Sequence, residues 1–122
     1  MKNSFIDLLH AAAGVLAKFA ETSASGGLIW SGTAYVQSSN AKFDPYAAKW
    51  WSILTAVAGL LDAQDTPLSP RQREYLSRLL FGGMGSFNDF ALDESWLGSE
   101  AVRANRELDR LRKEMFEQFR HA

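Results

Sequence analysis

Cysteine is absent from the 122 residues. Disulfides, thiolate metal sites and a cysteine nucleophile are thereby excluded, and a reducing compartment is a natural home for such a chain. Histidine is scarce: His10 and His121 are the only two, which with no cysteine leaves almost nothing to hold zinc. No sign of charge dominates. Thirteen Lys and Arg face 14 Asp and Glu, for a net charge of −1, so the basic excess of a general nucleic-acid binder is missing. Long apolar runs are missing too. The longest, Trp50 to Leu61, has 12 residues and includes Ser52 and Thr55, whereas a membrane-spanning helix needs about 20. Asp7 and His10 interrupt the apolar stretch that a signal peptide would require. The expected place of action is the cytoplasm, with neither nucleic acid nor membrane as partner.

What is present is ordinary for a globular domain: 47% apolar and 22% charged residues. One domain spanning 1–122 is expected, long enough to bury about two-thirds of its unfolded surface. Phe5, Leu8, Leu9, Ala12, Val15, Leu16 and Phe19 recur at helical spacing. They predict a first helix from Ser4, capped with Asp7, to about Glu21. Asp44-Pro45 and Ser69-Pro70 are N-cap-plus-proline starts for two more helices. The second has a predicted core stripe of Tyr46, Trp50, Ile53, Leu54, Val57, Leu60 and Leu61, with Trp51 at its edge or outside. The third faces Tyr75, Leu76, Leu79 and Leu80 inward. A last helix, about Ser99 to Arg120, buries Ala101, Ala104, Leu108, Leu111, Met115 and Phe119. Its outer face offers Arg103/Glu107, Asp109/Lys113, Arg110/Glu114 and Lys113/Glu117 as i,i+4 pairs. The predicted fold is all-α, a small four-helix bundle-like domain with one long loop over 22–43. That loop reads equally as two short strands or as irregular chain with a helical turn.

The densest signal is Phe81-Gly82-Gly83-Met84-Gly85-Ser86-Phe87-Asn88-Asp89-Phe90. Three glycines within four residues end the preceding helix, Gly82 being suited to a left-handed terminating position. Gly82, Gly83 and Gly85 together read as a structural turn. If 87–90 is extended, Phe87 and Phe90 fall on opposite sides, so the three phenylalanines are not expected to be core together. A phosphate-cradling reading fails, because a helix precedes the glycines and no lysine lies between Lys49 and Lys113. Asp89, Asp93 and Glu94 do not follow a calcium-loop spacing and read as caps and surface charges. His10 with Asp7 lacks a nucleophile elbow and reads as an exposed helix histidine. No metal site, cofactor or catalytic residue is assigned. Of the four tryptophans, Trp50 and Trp96 are expected in the core; Trp30 and Trp51 are open to an interface.

Residues 82–90 resemble a "GGMGSFND-hydrophobic" signature found in a family of small, largely helical bacterial proteins. In outline the likeness extends from Tyr46 to the end of the chain; residues 22–43 have no counterpart in it. The resemblance implies a cytosolic protein without known catalysis, similar to immunity proteins encoded beside antibacterial toxins. The expected function is thus binding of a cognate toxin and occlusion of its active site, through Trp30, Tyr35, Trp51, Asn88 and Asp89. A homo-oligomeric structural or regulatory protein is the alternative, and an enzyme using Asp89 and His10 ranks last.

Overall fold

The structure, a computed structural model, describes residues 2–20 and 43–122, together with the backbone of 28–30 and 35–37. It is an all-α fold. The described helices are α1 (Lys2–Ala17), α2 (Pro45–Ala63), α3 (Pro70–Phe81), the short α4 (Glu94–Leu97) and α5 (Ser99–Phe119). Between α1 and α2, β1 (Leu28–Trp30) and β2 (Tyr35–Gln37) pair antiparallel, with Trp30 opposite Tyr35. Of the two readings open for 22–43, the strand pair is the one that forms.

Both proline starts form as the sequence dictates. Asp44 is buried and its carboxylate accepts the N–H groups of Tyr46 at 2.8 Å and Ala47 at 3.2 Å. Ser69 and Gln72 close a reciprocal capping box. The first helix departs from expectation at both ends: it is already formed at Lys2, ahead of the Ser4 cap, and closes at Ala17. The Lys2 ammonium reaches across to the carbonyls of Gln64 and Thr66, so the first turn is tied to the end of α2.

α1 lies against both α2 and α5. Its buried stripe, Phe5, Leu9, Ala12 and Leu16, continued by Phe19 just past the helix end, repeats at four and three residues, the spacing of a helix buried along one side. On α2 the buried stripe is Ala47, Trp50, Leu54, Ala58 and Leu61. Two expected core residues are displaced from it: Tyr46 is exposed and Leu60 is 71% exposed. Alanines occupy the stripe instead, because a small residue lets α1 approach closely, and the bulkier neighbours turn outward. Trp51 is exposed, as its offset from the stripe predicts. On α3, Leu76 and Leu80 are buried but Tyr75 faces solvent. The end of α5 closes the core, with the Phe119 ring 5.5 Å from Phe5 and 5.3 Å from Phe81.

Of the four expected ion pairs on α5, only Arg110–Glu114 forms, at 2.8 Å. Arg110 also takes Glu107, and Asp109 is drawn to Arg112 at 3.1 Å. Lys113 is left without an ion pair among the described residues.

Candidate functional site: the glycine corner

The helical stretch ending in Leu79-Leu80-Phe81 delivers the chain to Gly82, and the next residues reverse its direction. Gly82 is not left-handed. Its φ is −72° and its need for glycine is steric: a Cβ there would lie 2.6 Å from the Arg78 carbonyl oxygen. The left-handed residue is Gly85, at φ +87°. Gly83 has ordinary φ and open space around it. The corner therefore depends on two of its three glycines, each for a different reason. Gly82→Ala and Gly85→Ala are each expected to lower the urea midpoint by the equivalent of about 1–3 kcal/mol. Gly83→Ala should hold or slightly raise it, because it only removes freedom from the unfolded chain. Equal losses at all three would contradict this assignment.

The polar side chains of the motif fasten the turn to itself. The Ser86 hydroxyl donates to the Gly82 carbonyl at 2.8 Å, and the Ser86 N–H donates to the Gly83 carbonyl at 3.1 Å. The Asp89 carboxylate accepts the Gly85 N–H at 3.1 Å. Phe87–Asp89 form a 3-10 turn, so Phe87 and Phe90 sit on the same side, with their rings nearly parallel and 6.4 Å apart. The extended reading of this segment is thus replaced. Phe87 is fully buried beside Trp50, whereas Phe81 and Phe90 are only partly covered.

Two residues of α5 hold the corner from behind, and neither was singled out from the sequence. Asn105 and Arg112 are the buried polar residues of that helix, 9% and 7% exposed. Asn105 accepts the Leu92 N–H at 2.9 Å and donates to the Leu92 carbonyl at 3.0 Å, as one rung of a β-ladder would. Its second amide hydrogen goes to Glu94 at 2.8 Å. Arg112 donates to the Phe90 carbonyl and to Asp109, and its guanidinium lies 4.5 Å from the centre of the Phe87 ring. Burial pushes the Arg112 pKa down, against the pull of the Asp109 carboxylate. Its Nε is buried with no hydrogen-bond partner among the described residues. A signal for both was in the spacing. Ala101, Asn105, Leu108, Arg112, Met115 and Phe119 follow one another at four and three residues, a continuous seam with two polar members.

The acidic residues near the corner serve three separate jobs. Asp89 fixes the turn, Glu94 meets Asn105, and Asp93 caps α4. The Ser95 hydroxyl first, then the Trp96 and Ser95 N–H groups, holds the Asp93 carboxyl below its ordinary range against an opposing desolvation effect. Trp96, expected in the core, is 55% exposed on this short helix, because Leu97 takes the inward position.

Of the five residues expected to contact a partner, Trp51, Asn88 and Asp89 have described side chains. Asn88 is exposed and its amide makes no hydrogen bond among the described residues, while neighbouring Asp89 is engaged by the turn. Trp51 is exposed on α2. Trp30 and Tyr35 are cross-strand neighbours, and their side chains lie outside the described residues. The most exposed large apolar residue of the described chain is one that was passed over: Met84, 98% exposed at the tip of the corner. Beside the corner an open cleft of about 520 Å³ is lined by Phe81, Asn88, Asp109, Arg112, Lys113 and Phe116. Among the described residues no helix is long and apolar enough to cross a membrane. Comparison with protein-family models, with characterised proteins and with solved structures finds no match for this chain.

Proposed function

We propose that the protein is a non-catalytic binder of another protein, with the glycine corner as its contact surface. On the resemblance carried by residues 82–90, it is an immunity protein that covers the active site of a cognate antibacterial toxin in the cytoplasm. One observation supports this reading above the others: a turn fastened by its own side chains and by α5 still presents Met84 almost fully to solvent. A rigid protrusion with an unbranched, polarizable tip loses little conformational freedom on docking and adapts to the pocket it enters.

The test is co-expression with the product of a toxin gene adjacent to its own. Wild type should restore growth and co-purify as a complex. Met84→Ala and Asn88→Ala should weaken the calorimetric affinity, Met84→Ala by about tenfold or more, as loss of a contact near the centre of an interface does. Reversal of Glu114 on the solvated face of α5 should change little. Trp30→Ala as the only damaging substitution would move the contact to the strand pair. Growth arrest with no complex would sink the immunity reading.

A second reading draws on α2. Between Lys49 and Asp62 it carries no charge, and Tyr46 and Leu60 are exposed along one flank of it. A second copy of the chain packed there would make the protein a homo-oligomer. Light scattering that reports a dimer, lost on Leu60→Glu, would favour it.

A further inference from the structure

The cleft beside the corner has both an apolar and a polar lining. Phe81 and Phe116 meet edge to face, 5.2 Å between centres and 75° between planes, with Phe116 half exposed. The lining also carries Arg112, Lys113 and Asn88. Lys113 has no ion pair and Asn88 no side-chain hydrogen bond among the described residues. Arg112 is buried and anchored to the Phe90 carbonyl, and its Nε has no acceptor among the described residues. The only carboxylate on the lining is Asp109, which is 72% exposed and is held there by a single 3.1 Å contact to Arg112.

We propose that this cleft binds a carboxylate carried close to an aromatic ring. The ring lies against Phe116 and Phe81. The carboxylate takes the Lys113 ammonium and the Asn88 amide, and displaces Asp109 from Arg112. Asp109 thus marks, with its own carboxyl group, the place of the incoming one. Swinging it out costs little, because an exposed side chain held by one ion pair contributes little to stability. Two cations against one carboxylate leave the lining one positive charge in excess, which suits a monoanion. A phosphate dianion would leave the cleft net negative beside Asp109. The volume of about 520 Å³ lies in the range of small-ligand pockets, about 300–1,000 Å³. The inference goes beyond the proposed function and does not depend on it. The same chemistry is offered by a free aromatic acid and by the carboxyl terminus of a peptide ending in phenylalanine.

The experiment is an NMR titration of the full ¹⁵N-labelled chain. The probes are 3-phenylpropionate, its neutral amide, propionate, phenyl phosphate and the peptide Gly-Gly-Phe with a free carboxylate. Phenylpropionate should shift the Asn88 side-chain amide and the backbone amides of Lys113 and Phe116. The amide, the ring-less acid and the phosphate should each bind at least about fivefold more weakly, because each lacks a charge-assisted bond, an apolar contact or the right charge. Lys113→Ala should weaken phenylpropionate by about fivefold or more, whereas Asp109→Asn should tighten it by removing the internal competitor. Both substitutions are at exposed positions, and the spectrum itself reports whether each variant is folded. Tighter binding of the peptide identifies a chain terminus as the source, and tighter binding of the free acid identifies a small molecule. Equal binding of the neutral amide, shifts that map away from the cleft, or Asp109→Asn weakening the acid would overturn the proposal.

Discussion

Asn105→Leu is expected to destabilise the protein by about 2–5 kcal/mol, although the substitution is nearly isosteric and places an apolar residue in an apolar seam. The reason lies on the other side of the contact. Asn105 serves both backbone groups of Leu92, accepting at 2.9 Å and donating at 3.0 Å, and Leu92 is itself only 3% exposed. A leucine at 105 can do neither. Two buried main-chain groups then lose their partners, at about 1–3 kcal/mol each. Asn105→Asp separates the two roles. It keeps an acceptor for the Leu92 N–H, loses the donor for the carbonyl, and sets a second carboxylate against Glu94, whose partner the amide was. It should therefore be destabilised at neutral pH and partly restored in mild acid, where the new carboxyl group carries a proton to donate. Urea unfolding across that range is the measurement. A Leu variant as stable as wild type would mean that residue 92 is hydrated and that Asn105 does not hold it.

The second large effect is at Arg112, where two substitutions should behave differently. Arg112→Ala removes a charged hydrogen bond to the Phe90 carbonyl and a cation held 4.5 Å from the Phe87 ring, and it opens a void behind the corner. The expected loss is about 2–4 kcal/mol. Arg112→Met fills most of the space and no longer keeps a charge out of water. Replacement of a buried ion by a well-packed apolar residue is often neutral, so Met should recover at least about half of what Ala loses; the orphaned Phe90 carbonyl accounts for the rest. Arg112→Lys should not do better than Met, because a single ammonium cannot bridge Phe90 and Asp109 as a planar fork does. Thermal unfolding of the three variants gives the order. If Ala matched wild type, the corner would be held by its internal bonds alone.

Features that depend on a few neighbouring residues were readable in the sequence. Asp44-Pro45 and Ser69-Pro70 start helices because a cap and a fixed φ act within one turn. The stripe of α1 was readable because one side of that helix is buried along its length. What the chain alone did not disclose depends on which surface meets which. α2 is apolar around most of its circumference, and nothing local tells that Ala47 and Ala58 are buried while Tyr46 and Leu60 are not. Trp96 was expected in the core, yet Leu97 fills that place. Among the glycines, the count marked the corner, but only the backbone path shows that Gly82 crowds Arg78 and Gly83 crowds nothing. Asn105 and Arg112 were assigned to no face of the last helix from the sequence. Their burial makes sense only once the backbone groups of Phe90 and Leu92 are seen to take their partners from these two side chains.

The seam of α5 has a consequence for what the helix can pair with outside this fold. Ala101, Asn105, Leu108, Arg112, Met115 and Phe119 keep the spacing that lets two identical helices wind around one another. On a chain that has just left the ribosome, such a helix would be a ready self-association element. Arg112 makes that pairing poor: in a parallel homodimer it would face its own copy across a dry seam, two like charges with no carbonyl of Phe90 and no ring of Phe87 between them. The residue that fits the corner in its own fold thus repels the same helix in another molecule.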